Sequence, residues 1–174
     1  MASTYSTNLG IELIATGEQS GTWGSTTNAN LGTLLEQSIA GYQSQAVTDS
    51  SSATVLTIAN GAASVGRNAV ISLTGSLTAA RVVEVPAKTK VYIFSNDTTG
   101  GYAVTVKVTG QTGVSIPAGS KALVYCDATD VVQVAQFPLP LSLGGTSGTS
   151  VATAQSALQV DPAGTAVALA IALG

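Results

Sequence analysis

The chain has 174 residues, of which 9% are charged, 45% are hydrophobic and none is histidine; the formal net charge is −3. Ordinary globular proteins carry about 25% charged residues, so this surface either meets lipid or is covered by other subunits. The most apolar run, Ala166 to Leu173, is eight residues long. A spanning helix needs about 20, so no membrane span is expected, and subunit contact accounts better for the missing charge, because obligate interfaces shed charge at their centres.

Other classes fall away on composition. Absence of histidine removes Ser-His-Asp and Cys-His nucleophilic machinery and every His-containing metal site. With one cysteine, Cys126, the chain has neither an internal disulfide nor a thiolate zinc cluster. Six scattered cations, Arg67, Arg81, Lys88, Lys90, Lys107 and Lys121, offer no basic patch for phosphates, which disfavours direct nucleic-acid binding. The Met1–Tyr5 start has no basic and apolar signal regions, so synthesis in a cytoplasm without export by that route is expected. Polarity comes instead from 42 Ser and Thr residues, types that suit strands and turns.

Three zones follow in chain order. Residues 1–45 form an attachment segment. Within it, Ile11 to Ile14 suit a short strand and Trp23 sits in a Gly-flanked loop. Leu31, Leu34, Leu35 and Ile39 fall at helical spacing over about 28–40, with Thr26, Thr27 or Asn28 as caps and Gly41 as the stop. Residues 46–137 read as successive strands: 54–58, 69–73, 81–85, 91–94, 102–108, 121–126 and 131–137. Turn signals separate them at Asn60-Gly61, Asn96 through Gly101, Pro117 through Gly119 and Asp127 through Asp130. Val91-Tyr-Ile-Phe94 is apolar on both faces, the pattern of a strand covered on both sides. Residues 138–174 open with Pro138 and Pro140, pass a Gly144-Gly145 hinge, allow two helical turns over 150–158, and end in alternating Val167, Leu169, Ile171 and Leu173. The expected fold is mainly β: a β-sandwich or barrel-like domain with one N-terminal helix and an extended C-terminal oligomerisation segment.

Chemistry-bearing residues have plain structural readings. Most of the nine acids sit in expected turns, where Asp caps its own backbone. Asp127 and Asp130 fall short of the six to eight oxygens that calcium takes. Cys126, next to Tyr125 in an apolar strand, reads as a packed thiol. No catalytic residue, cofactor site or metal site is expected, and the protein is read as a non-enzyme. Trp23 with the face of Leu31, Leu34, Leu35 and Ile39 is the candidate docking surface, since a buried aromatic beside a short amphipathic helix suits a hot spot; a carbohydrate-stacking role for Trp23 is the alternative. Val167, Leu169, Ile171 and Leu173 would share one side of a strand and serve oligomerisation, with alanines opposite permitting close approach.

Three stretches carry a resemblance. Tyr5 through Leu9 with Gly17-Glu-Gln-Ser-Gly-Thr-Trp-Gly24 and Thr27 through Gly41 resembles the N-terminal region of tail-fibre and related virion proteins of tailed bacteriophages. Gly100-Gly-Tyr-Ala-Val-Thr-Val-Lys107 with Gly110 through Val114 looks like the β-domain that follows it there. Leu143 through Ser150 with Ala154 through Leu158 is similar to a Gly-rich linker of trimeric phage fibres. The resemblance implies a homotrimer that contacts other virion proteins of tail or capsid, made in the host cytoplasm and located in the virion. Its function would be that of a short tail fibre or fibre-anchoring protein. A capsid decoration or head-fibre protein, and a module binding host surface glycans, are the alternatives. With the sequence running to Gly174, a long shaft or receptor-binding tip is not expected.

Overall fold

A computed structural model describes residues 3–137, 139, 145–146, 150–159 and 171. The chain divides into two compact units, Met1–Val134 and Ala135–Gly174.

The first unit opens with β1 (Thr4–Tyr5) and β2 (Glu12–Leu13), a small antiparallel pair. Hydrogen bonds tether it to the main domain: Gly61 N–H donates to Gly10 O at 2.8 Å, Thr89 N–H to Asn8 Oδ1 at 3.1 Å, and Lys88 Nζ to Thr7 O at 2.5 Å. A continuous helix follows, α1 (Trp23–Ala29), a π-wound stretch (Asn30–Leu35) and α2 (Glu36–Ala40). It begins earlier than the cap residues Thr26, Thr27 and Asn28 suggest, and these lie inside α1. Thr22 occupies the N-cap without a side-chain cap bond. The start is set instead by a turn through Gln19 and Gly21, both at positive φ, that brings Trp23 N–H onto Gln19 O at 2.9 Å. Gly41 does end the helix, in an extended conformation. A Cβ there would run into the Asn68 side chain and the Gln37 carbonyl, so the exit into the next strand needs glycine for close approach.

Nine further strands form a two-sheet sandwich. β3 (Tyr42–Ala46), β5 (Val70–Thr74), β7 (Thr89–Asn96), β10 (Lys121–Asp127) and β11 (Val131–Phe137) make one sheet, in the order β11-β10-β7-β5-β3. β4 (Thr54–Val55), β6 (Arg81–Val85), β8 (Val104–Val108) and β9 (Val114–Ile116) make the other, in the order β4-β6-β8-β9. From β3 to β8 the chain changes sheet at every strand. Successive strands of one sheet therefore stack in parallel: Tyr42 faces Val70 and Val70 faces Ile93, while Thr54 faces Val83 and Val83 faces Val106. Antiparallel pairs enter with β9 on β8 and β10 on β7. The mainly β, sandwich-like fold with a helix is as expected; the parallel winding is an addition that alternation does not reveal.

The core lies between the sheets. Ile71, Leu73, Tyr92, Phe94, Ala122 and Val124 meet Val83, Val85, Val104, Val106 and Ile116, all buried. Burying each such aliphatic or aromatic side chain is worth roughly 1.5–3 kcal/mol. The polar Asn96 is fully buried and fully engaged. Its Nδ2 donates to Ile116 O at 2.8 Å and Tyr102 O at 3.2 Å, and its Oδ1 accepts from the Thr98 hydroxyl at 2.6 Å.

β3 is an edge strand. Val70 N–H bonds Gly41 O and Val47 N–H bonds Thr74 O, so odd-numbered backbone groups of β3 face the sheet and even-numbered ones face outward. Two of those outward carbonyls are met by the strand's own side chains: Gln43 Nε2 donates to Ser44 O at 3.2 Å and Gln45 Nε2 to Ala46 O at 2.8 Å.

In the second unit, α3 (Val151–Leu158) starts at a reciprocal cap between Ser150 and Thr153, matching the expected helical turns.

Candidate functional site

The helix does not present its apolar residues as one face. Leu34 is 1% exposed and packs into its own unit, Leu35 is half-buried, and Trp23, Leu31 and Ile39 point outward at 62%, 59% and 71% exposure. Winding six residues as π-helix adds residues to the turn, so positions that share a face at 3.6 residues per turn are rotated apart. The helix is pinned by a two-bond clasp to β2: Glu12 N–H donates to Asn30 Oδ1 at 3.2 Å, and Asn30 Nδ2 donates to Glu12 O at 2.8 Å. Trp23, Leu31 and Ile39 are thus exposed on a helix held to the domain. Of the C-terminal set, Val167, Leu169 and Leu173 lie outside the described residues, and Ile171 is exposed.

A larger apolar surface lies on the outward face of the five-stranded sheet. On β7, Lys90, Tyr92 and Phe94 point inward while Val91 and Ile93 point outward. Across the strands, Tyr42, Val70, Ile93 and Leu123 stand in register, and Val91 stands beside Tyr125. By alternation from buried Val131, Val132 and Val134 extend the band onto β11. Tyr42, Val91, Ile93, Tyr125, Val132 and Val134 are all solvent-exposed. Its rim is polar: the Ser72 and Ser95 hydroxyls both donate to Asp97, at 2.6 and 2.8 Å. Ser72 chiefly holds the Asp97 carboxyl below its usual range, against burial and with help from Ser95 and the Lys121 charge. The outward face of the other sheet differs. There Glu84 faces Lys107 and Thr105 faces Ser115, a solvent-suited surface.

Val91-Tyr-Ile-Phe94 suggests a strand covered on both sides. Among the described residues it is covered on one side, because no layer packs over Val91 and Ile93. Sequence reasoning marks the strand but misses the surface; the signal is the apolar residue at every position of 91–94.

The other candidates resolve into structure. Cys126 is buried, its thiol 3.8 Å from Pro86 O. Asp127 Oδ1 accepts from the Thr129 and Asp130 amides at 2.7 and 2.9 Å. Asp130 accepts from Gly113 N–H at 2.7 Å and Val131 N–H at 2.7 Å, joining the β8–β9 turn to β11. Burial alone would raise the Asp130 pKa, but these amides with those of Val108 and Thr112 outweigh it and hold the carboxyl low. Gly113 is at φ +68°, and a Cβ would strike the Val106 carbonyl. Among the described residues no group of three ligating side chains gathers as a metal site, and no helix is long and apolar enough to cross a membrane.

No family model, no curated protein and no solved structure matches this chain.

Proposed function

We propose that the chain is a structural component of a bacteriophage virion, a short tail fibre or fibre-anchoring protein, that acts as a homotrimer and catalyses nothing. The observation that carries the subunit reading is the uncharged apolar band of Val91, Ile93, Tyr125, Val132 and Val134 on an otherwise ordinary sandwich. Contiguous exposed apolar surface with a polar rim marks interaction sites. The virion assignment rests on the resemblance of the N-terminal, β-domain and linker stretches.

Light scattering on purified protein tests the association: a particle of three times the 17.2 kDa chain mass is expected. Paired Val91→Asp and Ile93→Asp substitutions should release monomer that keeps its β-rich circular dichroism, since isolated surface changes shift stability by about 0.5 kcal/mol or less. A monodisperse wild-type monomer at micromolar concentration overturns the reading. Mass spectrometry of purified particles tests the location, and absence of the chain from them refutes it.

A second reading, a module that binds host surface glycans, draws on the exposure of Trp23, Tyr42, Tyr102 and Tyr125, since exposed aromatic faces can stack on sugars. Glycan-array binding abolished by Trp23→Ala or Tyr102→Ala would support it. An array with no hits removes it.

A further inference from the structure

The inner row of β7 begins with a buried pair of cations. Arg67, from the turn before β5, is 0% exposed and Lys90 is 7% exposed. An arginine stays charged in proteins, and burying charge without a partner is strongly unfavourable. Among the described residues no carboxylate bonds to either cation. The Arg67 Nη2 group donates to the backbone carbonyls of Ala59 and Ala62, and Lys90 Nζ donates to Val91 O at 3.1 Å. That leaves Arg67 Nε and Nη1 without a hydrogen-bond partner among the described residues. Tyr92, the next inward residue on the strand, is also 0% exposed, and its hydroxyl is likewise unpartnered. The Lys90 ammonium stands 4.4 Å over the Tyr92 ring, and Cys126 is its cross-strand neighbour. The parallel register that sets Val70 opposite Ile93, with Ile93 N–H donating to Ala69 O, brings the turn carrying Arg67 to the Lys90 end of β7, and there Arg67 opposes the charging of Lys90, adding to the larger effect of burial.

Buried polar groups in proteins find partners, and donors left unpartnered among the described residues point to an ion or water beside them. Water would satisfy donors but would leave two positive charges unneutralised. The geometry points to a binding site for one small monovalent anion of the halide class beside Arg67, Lys90 and Tyr92, integral to the folded β-domain. Its donors are the free guanidinium N–H groups, the remaining ammonium hydrogens and the tyrosine hydroxyl. Near-complete burial selects an ion that sheds water readily, and so disfavours sulfate and phosphate. This inference is independent of the virion reading.

The test is the melting temperature of the full chain as sodium bromide replaces sodium gluconate at constant ionic strength. A ligand that binds the native state alone raises stability logarithmically with its concentration. A rise of that form is expected with bromide and chloride, and not with sulfate at matched low-millimolar concentration. Lys90→Met and Tyr92→Phe should flatten it, whereas Lys88→Met, altering a surface lysine bonded to Thr7 O, should keep the wild-type slope. Arg67→Met would also remove the anchor of the 59–62 loop, so the two milder substitutions carry the test. A wild-type melting temperature indifferent to bromide overturns the site. So does a bromide slope retained in both Lys90→Met and Tyr92→Phe.

Discussion

The two ends of strand β7 bury polar groups in opposite ways. At its C-terminal end, Asn96 is sealed in the core with Nδ2 and Oδ1 both occupied by Ile116, Tyr102 and Thr98. At its N-terminal end, Lys90 and its neighbour Arg67 bring two charges into the same interior with donors left over. Between them Tyr92 and Phe94 stack at 5.3 Å between ring centroids. The contrast teaches that burial of polarity has no fixed sign. A neutral amide whose bonds are met holds three segments in register, whereas a cation whose bonds are unmet lowers stability until something neutralises it.

The largest expected effect breaks the satisfied end. Asn96→Leu keeps volume but orphans the Tyr102 and Ile116 carbonyls and the Thr98 hydroxyl, and should cost about 3 kcal/mol. Urea unfolding measures it; a loss under about 1 kcal/mol would mean that the amide network contributes no more than one ordinary hydrogen bond.

Next comes the unsatisfied end. Lys90→Met in gluconate buffer at pH 7 should leave stability unchanged or raise it by about 1–3 kcal/mol, because an apolar replacement removes buried charge. Burial first, and Arg67 second, depress the Lys90 pKa to about 8 from 10.5. The unfolded chain therefore holds a proton between those values that the folded chain has released. Wild-type stability should rise as pH climbs from about 8 to about 10.5 and gain nothing from this group below that window. Arg67, Tyr92 and Cys126 are the charged or titratable neighbours, and Lys90→Met should flatten that part of the curve. Bromide should shift the wild-type rise toward higher pH.

The smallest effect is at the outer rim. Ser72→Ala removes a 2.6 Å bond to Asp97 and should cost about 1 kcal/mol near neutral pH. The folded Asp97 pKa lies below its ordinary value, so its contribution is present above the carboxylate range and is lost as pH falls through it. The gap between Ser72→Ala and wild type should therefore narrow on acidification, which acid titration of the unfolding midpoint follows.

How much of this is legible depends on which physical signal each residue carries. Strand β6 at Arg81–Val85 and the run from Val104 to Val108 follow from alternation, and the structure buries Val104 and Val106 on the same side. β3 escapes a sequence reading because Tyr42-Gln-Ser-Gln-Ala46 has little apolar content and pairs with a strand distant in sequence. β9 escapes it because its three residues sit between the Gly113 turn and Pro117. Alternation gives a residue's face and says nothing of which sheet the next strand joins, so the parallel winding stays hidden. At the candidate surface, helical spacing groups Leu31, Leu34, Leu35 and Ile39 on one face, with Trp23 in a loop beside it. A π-wound turn then separates inside from outside, a local rewinding with no residue signature here. The Arg67–Lys90 site is hidden because two cations far apart in sequence look like surface residues until the sheet brings them together.

The glutamine amides of β3 bear on how the sheet edge would meet another copy of the chain. A sheet edge with bare carbonyls is a template, and identical chains can add to it without limit. Gln43 and Gln45 turn their own amides onto the Ser44 and Ala46 carbonyls, so an incoming strand must first displace them. Growth by strand addition is thereby slowed at this margin, while the broad face of the same sheet stays open for contact. An assembly that adheres through faces and resists adding at edges favours counting its subunits and stopping over open-ended polymerisation.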